Sequence, residues 1–157
     1  MTQERMMVWN NNVNLKCLLC KTTPDSTAHL FFECPYSTSV WKKVCQICNI
    51  QIPVSKLHQI LEHLKTQTYC KLIQLDIDRL ALAASVYYIW RERNARFHNA
   101  KDRPHELITR EIFNTIKSKL CGIQLKWSKT MEEVCTHWKI LRPGNWPPIE
   151  VNGNEAQ

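Results

Sequence analysis

With 157 residues, 21 Lys and Arg against 14 Asp and Glu, and three glycines, the chain has room for one core or for a metal-stapled unit joined to a helical one. The formal charge of +7 favours an anionic partner, nucleic acid or an acidic protein face, and so few glycines argue against a loop-rich β protein. The longest apolar run, Leu80 to Trp90, is about half the ~20 residues that span a bilayer and is bracketed by Arg79 and Arg91, so no membrane partner is expected.

The opening Met-Thr-Gln-Glu-Arg lacks the apolar core of a secretory leader. The eight cysteines are therefore expected inside the cell, nuclear or cytoplasmic, rather than in a disulfide framework. In such a compartment clustered Cys and His read as metal ligands, and isolated Cys as small core residues.

In chain order, a short first segment is broken by Asn10-Asn11-Asn12. Cys17-Leu-Leu-Cys20, His29 and Cys34 then spell Cys-x2-Cys-x8-His-x4-Cys, four donors whose number and mixture suit a closed tetrahedral Zn²⁺ site. Three thiolates and a neutral imidazole around Zn²⁺ carry a net charge of about −1, which Lys16 and Lys21 would partly neutralise. With all four positions filled, the site is structural rather than hydrolytic. Phe31, Phe32, Tyr36 and Trp41 crowd the last two ligands and are expected chiefly to cover the knuckle. Phe32 is the member of the adjacent pair expected to face outward, where its ring would stack on a base of a single strand.

A serine or threonine at 37 to 39 can cap a helix carrying Val40, Trp41, Val44, Ile47 and Cys48, with Pro53 ending the unit. Ser55 reads as the cap of a second helix with Leu57, Ile60, Leu61 and Leu64 on one face. A long helix is predicted from Leu72 to His98, its apolar face formed by Ile73, Ile77, Leu80, Ala83, Ala84, Tyr87, Trp90 and Phe97. Glu92 and Arg96 stand in the favourable i,i+4 order. Asp102 to Pro104 forms a boundary, and Ile108, Ile112, Phe113, Ile116 and Leu120 make the next stripe, closed by Gly122. A last helix spans Lys129 to Ile140, and the tail from Arg142 is expected to be irregular or disordered. The fold class is all-α: a small CCHC zinc knuckle followed by a bundle of about four to five helices. Its parts are a zinc-binding domain at 1–50, a helical region at 51–141 and the tail at 142–157.

Cys45 and Cys48, with His58 and His63 downstream, imitate a second finger. They fall inside a helical apolar pattern, so core packing is expected instead. Arg91, Arg93, Arg96, Lys101, Arg103 and Arg110 are interleaved with Glu92, Asp102, Glu106 and Glu111 and read as a solvated mixed-charge face. Lys117, Lys119, Lys126 and Lys129 have no acid between them and are the better phosphate candidates. For catalysis, Asp76 and Asp78 point in different directions on a helix, and no glycine-rich phosphate loop, HExxH or Gly-x-Ser-x-Gly appears. An enzyme is not expected.

Thr2-Gln3-Glu4-Arg5-Met6, Cys17-Leu-Leu-Cys20 and the run from Asp25 through His29-Leu-Phe-Phe-Glu-Cys34-Pro35 to Val40-Trp41 resemble the reverse-transcriptase zinc-binding domain. That domain lies near the C-terminus of plant non-LTR (LINE-type) retrotransposon polyproteins, whose helical tail the stretch Leu80 to Phe97 also resembles. The resemblance implies Cys17, Cys20, His29 and Cys34 as the metal positions, and assigns no ligand role to Cys45, Cys48, Cys70, Cys121 or Cys135. It further implies a domain truncated at its N-terminus and separated from the polymerase and endonuclease that act in the polyprotein. The expectation is a non-catalytic zinc-binding accessory module for RNA or DNA. The alternatives are a structural or protein-interaction domain, docking on the polymerase or on another copy, and a non-functional remnant of the element.

Overall fold

The computed structural model describes residues 16–51, 56–66, 72–99, 102–123 and 126–147. The expectations placed on Thr2 to Met6, Asn10 to Asn12, Pro53, Ser55, Cys70, Lys101 and the end of the tail lie outside them. The chain is mostly helical. A wide turn, α1 (His29–Glu33), leads into α2 (Pro35–Cys48), α3 (Leu57–Thr66), α4 (Leu72–Asn99), α5 (His105–Cys121) and α6 (Lys129–Trp138). Among the described residues there is no strand, only an isolated antiparallel bridge between Lys16 and Pro24. The core sits where α2, α4 and α5 meet.

Helix α2 starts earlier than its hydroxyl residues suggest. Cys34 takes the extended cap position and Pro35 the first turn, where its missing N–H costs nothing. Ser37 and Thr38 instead donate backwards to the carbonyls of Leu30 and Phe32, tying α2 to the turn before it. Val40, Trp41, Val44 and Cys48 fill its buried face. Ile108, Ile112, Ile116 and Leu120 do the same for α5, which ends at Gly122 as expected, with a right-handed φ of −87°. Ser128 caps α6 by accepting from the Met131 amide. Phe113 of α5 stacks on Trp138 of α6 with centroids 4.9 Å apart. Arg142 to Pro147 is non-helical but forms a turn in which Trp146 is buried.

Helix α4 has the expected ends but a different buried face. Ile77, Ala81, Ser85, Ile89, Glu92 and Arg93 point inward, while Ala83, Tyr87, Trp90 and Phe97 are exposed. Ala81 and Ser85 are wholly buried, and side chains this small suit close helix packing where large rings would not fit.

The charged end of α4 is only partly the expected solvated surface: Arg91, Asp102, Glu106 and Arg110 are exposed, but Glu92 and Arg93 are buried. Glu92 is wholly buried, accepting from Arg96 Nε at 2.8 Å and from Arg103 Nε at 2.7 Å. Arg96 stacks over the Tyr36 ring, and Tyr36 donates to the Arg103 carbonyl. Burial alone would raise the Glu92 carboxyl, but the Arg96 and Arg103 hydrogen bonds outweigh it and hold the group below the usual carboxylate range. Its stabilising contribution is therefore complete above about pH 4.5 and is lost as pH falls through the lowered folded-state value. Glu92→Gln, which removes the buried carboxylate that Arg96 and Arg103 share, is expected to cost about 3–5 kcal/mol in chemical denaturation. The variant should also lose part of the acid sensitivity of the parent protein.

Candidate metal centre

The four sequence-predicted donors converge. Their ligand atoms all lie within 4.8 Å of one another. Cys17 Sγ is 3.9 Å from Cys34 Sγ, and Cys20 Sγ is 3.3 Å from His29 Nε2. A regular tetrahedron with ordinary zinc bond lengths has S–S edges of about 3.8 Å and S–N edges of about 3.6 Å, so the arrangement accommodates Zn²⁺ with little movement. The sulfurs are free thiols, their separation being far beyond the ~2.05 Å of a disulfide.

Local backbone explains the convergence. The Cys17 amide donates to the Thr23 carbonyl and the Lys21 amide to the Cys17 carbonyl, both at 2.7 Å, which folds the first pair into a tight knuckle. Lys21 takes the left-handed conformation, φ 62°, that this reversal requires. Ser26 receives the His29 amide on its side chain and the Leu30 amide on its carbonyl, starting the turn that carries the imidazole. Cys34 is both the last donor and the cap of α2, so the Tyr36 and Ser37 amides face its sulfur.

The electrostatics suit a cation. A hydrogen bond from Cys17 to Cys34 raises the first thiol and lowers the second. Burial pushes the Cys20 thiol up, but the Thr22 hydroxyl and the Thr22 and Thr23 amides outweigh it and bring it to about 5. Burial also lowers His29, yet contact with Cys20 and Cys17 raises it overall. Cys20 and Cys34 are thus inclined toward the thiolate form that Zn²⁺ takes, whereas Cys17 would give up its proton on binding the metal. Cys17 and Cys34 are buried, and Cys20 is partly exposed.

The remaining candidates separate. Lys21 is committed to Asp102 at 2.6 Å, and Lys16 is exposed beside the knuckle. Phe32 points inward, contrary to expectation. It is 1% exposed and meets Trp41 edge-on at 5.3 Å, because the knuckle has little else to bury. Its ring has no free face for a base. Cys45 and Cys48 behave as core residues, their thiols pushed up to about 12 by burial. His58 is exposed, and the cluster of Cys17, Cys20, His29 and Cys34 is the one metal-binding group among the described residues.

The sequence reading missed the support of this loop. Asp25 lies inside the metal loop and meets Arg93 of α4 at 2.7 Å, with both side chains almost inaccessible. Arg96 donates to the carbonyls of Leu18 and Leu19, the two residues between the first pair of cysteines. The alternation Arg91-Glu-Arg93 followed by Arg96 was the available signal, but charge in a helix reads by default as solvated.

One zinc per chain is expected by native mass spectrometry, with Cys34→Ser losing it. Phe32→Ala is expected to destabilise the zinc-loaded protein by about 3–5 kcal/mol in a denaturant titration, as for other buried aromatics.

Residues 1–41 match the family model described as zinc-binding in reverse transcriptase. No curated protein and no solved structure matches the chain. All four converging donors fall within the matched residues, and the metal that this family binds is the one their chemistry suits.

Proposed function

We propose that this chain is a zinc-stapled accessory module, of retroelement polyprotein origin, that binds RNA or DNA and performs no catalysis of its own. Four protein donors would fill a tetrahedral Zn²⁺ shell and would leave no position for a metal-bound water. The observation that carries nucleic-acid binding is how the cations divide. Arg91, Arg93, Arg96 and Arg103 are spent on Glu111, Asp25 and Glu92. None of Lys117, Lys119, Lys126 or Lys129 has a carboxylate within ion-pair distance among the described residues, and the last three are exposed. Uncommitted cations on a chain of charge +7 are what phosphates release counterions to reach. Such a module would work inside the cell, in nucleus or cytoplasm.

A second reading has its own observation. Tyr87, Trp90 and Phe97 form an exposed aromatic line on α4, a surface that a protein partner or another copy would cover. Among the described residues, no helix is long and apolar enough to cross a membrane.

Fluorescence anisotropy with labelled single-stranded RNA and DNA over a salt series tests the first reading. Affinity is expected to fall linearly in log K against log salt, with a slope of about −0.7 per phosphate neutralised. Absence of binding at low salt, with dimers in a sizing column, would favour the second reading.

A further inference from the structure

Trp127 stands out once the lysines are placed. It is 51% exposed in the connection between α5 and α6, with Lys126 next to it in the chain and Lys129 two residues on. Both lysines are exposed, with no carboxylate in ion-pair range among the described residues. The nearest acids are Glu132 and Glu133 in the first turns of α6. Glu132 is held by Arg142 at 2.9 Å, and Glu133 lines the cleft beside Trp138 and His137. Trp90, the comparably exposed indole among the described residues, has a different setting. The adjoining Arg91 leans over Tyr88 and pairs with Glu111.

A half-exposed indole with two exposed lysines within two residues of it in the chain matches the two-part chemistry of an unpaired nucleotide: a flat base to stack and a phosphate for each cation. An acidic peptide would satisfy the lysines but leave the ring uncovered. We propose that Trp127 is the base-stacking residue of this protein, binding single-stranded nucleic acid with Lys126 and Lys129 on the flanking phosphates. This rests on the nucleic-acid reading above and moves the stacking role from the knuckle, where Phe32 is buried, to the opposite end of the chain's sequence.

The test measures anisotropy of a labelled single-stranded oligonucleotide against zinc-loaded full-length protein, with duplex and poly-glutamate competitors. Trp127→Ala is expected to weaken binding about 5- to 150-fold, with an unchanged salt slope and an unchanged melting temperature. Trp127→Tyr should restore most of the loss. Replacing Lys126 and Lys129 by Ala should instead reduce the salt slope by about 1.4. Normal binding by Trp127→Ala overturns the inference while leaving nucleic-acid binding intact. Failure of the parent protein to bind overturns both. Poly-glutamate or duplex competing as well as single strands overturns the stacking role.

Discussion

The Asp25–Arg93 ion pair, closed to water at both ends, is the constraint on which the architecture turns. It spans 68 residues and fixes a metal-binding loop with almost no core of its own against the longest helix. Neither charge would remain buried alone, since an unpaired ion inside a protein is far costlier than a paired one. Arg96 reinforces the same join by reaching two knuckle carbonyls, and Glu92 neutralises Arg96 and Arg103 together. Knuckle and helices consequently share one core, from Cys17 and Leu30 through Trp41 to Ile112.

That join sets the part a zinc ion would play in the fold. The loop from Lys16 to Cys34 has few regular backbone hydrogen bonds, and its apolar residues reach the core only when the chain doubles back. A cation bound by the four donors would supply cross-links that secondary structure does not. The buried polar network then fixes the loop on α4 alongside the shared apolar core.

What the sequence made legible was set by covalent spacing. Cys17, Cys20, His29 and Cys34 announced themselves because donors must lie a few residues apart to share one ion, whatever surrounds them. Helix lengths were readable for similar local reasons, and α4 and α5 end close to their predicted limits. The rotational phase of α4 was not readable. Apolar residues occur around most of its circumference, and only the neighbours α2 and α5 decide that Ala81 and Ser85 face inward rather than Tyr87 and Trp90. Nor could Arg93 and Arg96 be recognised as buried, since their partners Asp25, Leu18 and Leu19 are remote in the chain. The pair Phe31 and Phe32 shows the same limit, because adjacent rings are told apart only by the turn that carries them.

Cys34 belongs to two structures at once, closing the ligand shell and opening α2. The eighteen residues from Cys17 onward hold every donor, whereas the clamp from Arg93 awaits a distant helix. Closing a short loop costs less entropy than closing a long one. During synthesis all four donors thus emerge well before α4, and the last of them is the cap of α2.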